Sequence, residues 1–326
     1  MDIKYDEIMR HGTRIARTLL MLAAVAGVTA ACGPGRARMP GAIAAPPDVV
    51  LQVRVNGRVH AVPLERYVLG AALSEVTPGG EAPAVVTRVY EVQAVIARTY
   101  ALSHQRRHAR EGFDLCDETH CQVYQPDRIR TSSFTRAAEA AVQRTRGQVL
   151  RAGSVIIDAL FHADCGGHTT TPAAAWAGTN HPYLPAREDA VPGLHHRAWT
   201  FEASMADWRT LLNSDPRTSV GATLTRMTVD ATGPGARVTA IRLIGARERV
   251  VTGEVLRSVV TATRGPRAVM STRFTAVQTP AGFRLTGTGF GHGVGLCQTG
   301  AIARARRGDS LAAILEHYYP GARVSA

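Results

Sequence analysis

The chain has 326 residues and a formal net charge of +12, carried almost wholly by arginine because Lys4 is its only lysine. The basic balance comes without a clustered basic helix bearing interleaved aromatics. That argues against nucleic acid and leaves an anionic polymer, or a plain solvated surface, as its meaning.

At the N-terminus, Arg10, Arg14 and Arg17 precede an uncharged run over 18–31 that ends Thr29-Ala30-Ala31, directly before Cys32. A basic region, a short apolar stretch and a small-residue cleavage site describe a secretory signal over 1–31 rather than a membrane span. Export to the periplasm or cell envelope is therefore expected. Cys32 stands where a bacterial lipoprotein carries its lipidated cysteine, which predicts a membrane tether through a lipid anchor; ordinary cleavage near Ala31 is the alternative. Residues 32–47 are rich in Gly, Pro and Ala and read as a linker. The domain proper is expected over 48–326, and no later apolar run is long enough to span a bilayer.

Residues 49–62 alternate around Asn56-Gly57, which predicts a hairpin with a type I′ turn. Pro63 opens a helix whose Leu64, Tyr67, Val68, Ala71 and Ala72 fall at i, i+3, i+4, i+7 and i+8. Pro78-Gly79-Gly80 stops it. A second helix is expected over 84–109, and a hairpin over 148–161 around Ala152-Gly153. The stretch 172–185 reads as loop, with Trp176 and Tyr183. A helix is expected over 199–212, a small sheet over 223–251 broken at Gly233-Pro234-Gly235, a short helix over 253–260 and a strand pair over 274–285. A glycine-dense loop (287–295) precedes helices over 298–307 and 310–318. The fold class is α+β, with a mostly β second lobe over 199–285.

Four groups of residues carry potential chemistry. Glu75 continues the apolar stripe of the first helix at i+11 from Leu64. A carboxylate on an inward face must be paired or have its pKa raised, and a raised carboxyl is what a general acid needs near neutral pH. The pattern alone favours the other reading, a helix-end Glu that reaches solvent or pairs with an arginine such as Arg98. Cys116, His120 and Cys121 follow the histidine-rich helix end 104–108 and offer ligands for a tetrahedral zinc ion. Their spacing is no standard zinc motif. A Cys116–Cys121 disulfide, or pairing with Cys165 and Cys297, is equally open, since the four cysteines after Cys32 are even in number and export implies an oxidising compartment. The string Phe161-His162-Ala-Asp-Cys165-Gly166-Gly167-His168 suggests a structural or substrate-lining role, with a Cys–His nucleophile pair the lesser reading. In Gly287-Thr-Gly289-Phe-Gly291-His292-Gly293-Val-Gly295-Leu-Cys297-Gln298, the glycine density fits no dinucleotide or phosphate-loop fingerprint and presents His292 as a site residue; a core histidine on a bulged strand is the alternative.

Taken together, these strings resemble the SpoIID/LytB family. The resemblance is carried by Leu64-Glu-Arg-Tyr67-Val-Leu-Gly70-Ala-Ala-Leu-Ser-Glu75, Gln93-Ala-Val-Ile-Ala-Arg98-Thr99-Tyr100, Cys121-Gln122-Val123-Tyr124, Phe161-His162 through Cys165-Gly166-Gly167-His168-Thr169, Trp176-Ala-Gly178, Gly289-Phe-Gly-His292-Gly-Val-Gly-Leu-Cys-Gln298 and His317-Tyr-Tyr-Pro320-Gly321. It implies a lytic transglycosylase that cuts peptidoglycan glycan strands, with Glu75 as its single acid and base, producing 1,6-anhydro ends. The family also contains amidase enhancers, so a non-catalytic peptidoglycan-binding protein that stimulates a cell-wall amidase is the alternative. One branch of the family binds zinc through histidines and cysteines, which implies that Cys116, His120 and Cys121 hold the metal. Arg98, Tyr124, His162, His292 and Gln298 are expected to line the sugar cleft.

Overall fold

The computed structural model describes residues 49–326; the expected signal over 1–31, the lipidation residue Cys32 and the linker over 32–47 lie outside them. The chain begins with the expected hairpin, β1 (Val50–Val55) and β2 (Arg58–Pro63), in the register Val55↔Arg58. Asn56 and Gly57 both take positive φ (49° and 80°), as a type I′ turn demands. Pro63 ends β2 and caps α1 (Leu64–Glu75) rather than serving as its first residue. Tyr67, Val68, Ala71 and Ala72 of α1 face inward as the period predicts.

α2 (Pro83–Ser103) is enclosed on every side from Val89 to Ala101 and forms the axis of the first core. It ends at Ser103, short of 109, because Arg106 turns to φ 69° and the chain folds back through a 3-10 turn (Ala109–Glu111) into β3 (Leu115–Cys116), parallel to β1. Histidines at 104 and 108 extend the helical period in the sequence, but His108 is needed elsewhere, as described below.

Next come α3 (Arg128–Thr131), α4 (Thr135–Arg144), β4 (Val149–Ala152), β5 (Val155–Ile156), β6 (Phe161–His162) and α5 (Pro172–Trp176). The expected helix over 199–212 divides into β7 (Ala198–Ser204) and α6 (Met205–Asn213). Trp199, Phe201 and Ala203 alternate with outward Thr200 and Glu202, a period-two pattern that suits a strand. Ser204 then caps the helix, its side chain accepting from Asp207 N.

β8 (Leu224–Gly233), β9 (Arg237–Gly245) and β10 (Glu248–Val251) form an antiparallel meander, followed by α7 (Gly253–Arg264). β11 (Phe274–Gln278) and β12 (Gly282–Thr288) pair with each other and β12 with β7. The chain closes with β13 (Leu296–Cys297), parallel to β6, then α8 (Gln298–Arg306), α9 (Leu311–Tyr318) and β14 (Arg323–Ser325), which joins β4.

The mixture of helices with small sheets makes the fold α+β, as expected. The buried apolar side chains of the described residues include two large clusters. One gathers α1, α2, α4, α8 and α9 with Val294 and Leu296. The other lies between the sheets of residues 198–288 around the fully buried Trp208, whose indole N–H donates to Phe283 O at 2.8 Å. Two helices, α6 and α7, belong to this second core, so the lobe is less purely β than the sequence suggests. No described helix is long and apolar enough to cross a membrane.

Candidate active site

Glu75 is the last residue of α1, where Val76 swings to extended backbone and ends the helix. Its carboxylate Oε1 accepts a short hydrogen bond from Val123 N at 2.6 Å. Beside it, Ser74 Oγ accepts from Gln125 N at 3.0 Å, so the segment 123–125 is tied to the end of α1 at two points. Gly70 lets that segment approach: a Cβ there would lie 2.4 Å from the Tyr124 ring. From the other side, Gln298 Nε2 donates to the backbone carbonyl of Glu75 at 3.3 Å and to Gln93 Oε1 at 3.2 Å.

Burial pushes the Glu75 carboxyl up from 4.5 to about 7, against the single backbone N–H that favours its charged form. A carboxyl poised there can both give and take a proton near neutral pH. The pairing with Arg98 that the helix-end reading anticipated does not occur. Arg98 makes a bidentate pair with Glu65 at 2.9 and 2.6 Å and donates to Gln148 O at 3.0 Å.

The cysteine–histidine cluster adjoins this site through Cys121, two residues before Val123. His108, Cys116, His120 and Cys121 bring their ligand atoms within 4.8 Å of one another. Cys121 Sγ lies 3.4 Å from His108 Nε2 and 3.8 Å from His120 Nδ1, and Cys116 Sγ lies 3.7 Å from His120 Nδ1. Tetrahedral zinc, with its ordinary bond lengths to sulfur and nitrogen, sets sulfur–nitrogen edges of about 3.5 Å. The donor set therefore fits zinc. His108 Nδ1 faces Glu111 Oε1 at 2.8 Å, the outer-shell carboxylate that orients a ligating imidazole. The neighbouring Cys121 thiol holds Cys116 below its ordinary value and is itself pushed up, so the pair favours one of the two thiolates that a metal would take. The four cysteines of the described residues, Cys116, Cys121, Cys165 and Cys297, stand as free, buried thiols in this structure. His108, a fourth candidate ligand, was not singled out in the sequence; the histidine-rich run before Cys116 was its only signal.

The remaining expected cleft residues are held mostly by contacts within the fold, Tyr124 also bordering a surface hollow. Arg98 is fully buried in its pair with Glu65. Tyr124 is enclosed, stacked on Tyr67 at 4.9 Å and packed against Gly70. His162 is buried, with Nδ1 3.1 Å from Val294 O. His292 spends both ring nitrogens on backbone: Nε2–H donates to Phe161 O at 2.9 Å and Nδ1 accepts from Val294 N at 3.1 Å. Burial takes His292 down to about 3 and His162 well below its ordinary value, so both are neutral at physiological pH. Gln298 reaches the backbone of Glu75 rather than an open cleft. A surface hollow of about 500 Å³, lined by Arg54, Asn56, Asp117, Glu118, Tyr124 and Gln125, opens beside the segment that holds Glu75.

The Stage II sporulation protein family model, SpoIID, matches residues 55–151, and a domain of unknown function (DUF8618) matches residues 192–295. An uncharacterized protein of Brachyspira hyodysenteriae is 31% identical over 269 residues, covering 82% of this chain and 67% of that protein. Stage II sporulation protein D of Bacillus subtilis is 26% identical over 296 residues, covering 86% of this chain and 80% of that protein. The amidase enhancer of Bacillus subtilis is 26% identical over 280 residues; the match takes in 72% of this chain and 38% of the enhancer's length.

Proposed function

The chain belongs to the SpoIID/LytB family, and from that premise we propose that it acts on the cell wall as a peptidoglycan lytic transglycosylase with Glu75 as its single acid and base. The observation that carries this reading is the Glu75 carboxyl, raised to about 7 by burial while one backbone N–H at 2.6 Å stands ready to stabilise its charged form.

In the first step the protonated carboxyl gives its proton to the glycosidic oxygen as that oxygen leaves C1 of N-acetylmuramic acid, through an oxocarbenium-like transition state. Val123 N–H then stabilises the new carboxylate. In the second step the carboxylate takes the proton of the C6 hydroxyl as O6 bonds to C1, which closes the 1,6-anhydro ring and returns Glu75 to its acid form. The nucleophile belongs to the same sugar and is already positioned, so no second carboxylate is required. The polar hollow beside residues 117–125 offers carboxylate, amide and guanidinium partners to flanking sugar hydroxyls. His108, Cys116, His120 and Cys121 would hold zinc, which would supply a structural clamp on the segment leading to Val123. Export through the N-terminal signal and a lipid on Cys32 belong to the same proposal and would hold this site within reach of the wall.

One relative is named an amidase enhancer, which supports a second reading: binding to the wall and stimulation of an amidase without cleavage. Purified chain is incubated with isolated sacculi, alone and with a cell-wall amidase. The transglycosylase reading expects anhydromuropeptides from the protein alone. Acceleration of the amidase with no anhydro product would replace it with the second reading.

A further inference from the structure

Away from Glu75, three ligand-type side chains meet inside the fold. One nitrogen of His162 and the sulfurs of Cys165 and Cys297 lie within 4.8 Å of one another, and all three residues are buried. The parallel pairing of β6 with β13 sets His162 in register with Cys297.

Three independent features single out this cluster. Because the Val294 carbonyl can only accept, the His162 proton sits on Nδ1, which leaves Nε2 a bare lone pair. That nitrogen is buried and has no hydrogen-bond partner. An imidazole held by a backbone carbonyl through one nitrogen, with the other free, is the arrangement of a metal ligand. The sulfurs, in turn, collect backbone donors. Cys297 Sγ accepts from Cys165 N at 3.2 Å and Gly300 N at 3.3 Å, and Cys165 Sγ accepts from Gly167 N at 3.3 Å. Cys165 S–H in turn donates to Asp189 Oδ2 at 3.5 Å, and burial holds the Cys297 thiol well above its ordinary value, so these donors offset part of what thiolates cost here and a bound ion must supply the rest. Finally, Arg237 is only 2% exposed yet its hydrogen bonds go to neutral acceptors: Thr272 Oγ1, Gly291 O and Cys165 O. Thiolates at Cys165 and Cys297 would add negative charge beside this buried cation, on which Glu254 already acts.

We infer that His162, Cys165 and Cys297 form a second metal site, for a thiophilic ion such as Cu⁺ or Zn²⁺, distinct from the cluster at Cys116. Binding joins the ion to two sulfurs and one nitrogen and releases the two thiol protons to solvent. The site is closed, so its role is structural: it rivets the glycine-rich loop of 287–297 to the strand at His162. It stands apart from the Glu75 reading, because its readout is bound metal.

The test uses the full chain with Cys116→Ser and Cys121→Ser, which removes the first cluster, purified under reductant and freed of metal. It is loaded separately with Zn²⁺ and with Cu⁺, passed through a desalting column, and its metal counted by elemental mass spectrometry. The expected result is one retained equivalent with at least one of the ions, lost when His162→Gln is added. Absence of a retained equivalent, or retention that survives Cys165→Ser with Cys297→Ser, would overturn the proposal. Should those variants fail to fold, the unsubstituted chain decides. Two equivalents of bound metal support the second site; one equivalent, or a Cys165–Cys297 disulfide in the native protein, rules it out.

Discussion

Burial acts on Glu75 and on His292 by the same physics and with opposite consequences. Loss of water disfavours the charged form of each. For the carboxyl this means a rise to about 7, into the range where a proton is readily given and retaken. For the imidazole it means a fall to about 3, out of that range. Their hydrogen bonds diverge too. Glu75 receives one backbone donor at Oε1, whereas both nitrogens of His292 are committed to the backbone at Phe161 and Val294. In the proposed reading one region is prepared for proton transfer, while the other pins a glycine-rich loop in place. A motif histidine is therefore weaker evidence of chemistry than a helix-end glutamate whose carboxyl is desolvated.

The sharpest way to break this contrast is to change both residues. Glu75→Gln keeps the shape and removes the proton, so glycan cleavage should fall by about 10²–10⁴-fold, as expected for loss of a general acid. His292→Ala should instead cost stability, on the order of 1–3 kcal/mol, by orphaning the Phe161 carbonyl. Denaturant unfolding together with the pH profile of cleavage separates the two: the alanine variant should unfold earlier but keep the parent's profile shape. A shifted profile would give His292 a part in the chemistry.

A middle-sized effect is expected at Gly70. Gly70→Ala places a methyl 2.4 Å from the Tyr124 ring and must push the segment 121–125 away from α1. Overpacking of this kind costs about 1–3 kcal/mol, and cleavage should fall because Val123 moves with Tyr124. Activity that stays at the parent level in a destabilised protein would uncouple that segment from Glu75.

Smaller, but more diagnostic, is the pH dependence of stability. Between its ordinary value of 4.5 and its folded value of about 7, Glu75 holds a proton in the folded state that the unfolded chain has released. Its contribution to stability is thus complete below about 4.5 and lost as pH rises through about 7. Glu75→Gln should remove that part of the slope, which chemical denaturation across this range would detect. An unchanged slope would mean that Glu75 is not desolvated.

The hairpin, α1 and the position of Glu75 were legible in the sequence because each rests on local signals: Asn56-Gly57, the helical period and the Pro78-Gly79-Gly80 stop. The partners of Glu75 were not. Val123 acts through its backbone N–H, which any residue supplies, and Gln298 reaches the Glu75 carbonyl across 223 positions. Arg98 looked available as a partner because its pairing with Glu65 exists only once α1 and α2 have packed. The early end of α2 was hidden for a related reason. His108 continues the helical period, yet its place is set by Cys121 and Glu111 in three dimensions. The strand at 198–204 was lost in a helical reading because a few alternating residues support either period until β12 pairs with them.

The most direct measurement is the release of anhydromuropeptides from isolated sacculi by the parent and Glu75→Gln chains, followed from about pH 5 to about pH 9. The account predicts parent release that declines as pH rises through about 7, with the variant at background throughout. Equal release from the two chains would contradict it.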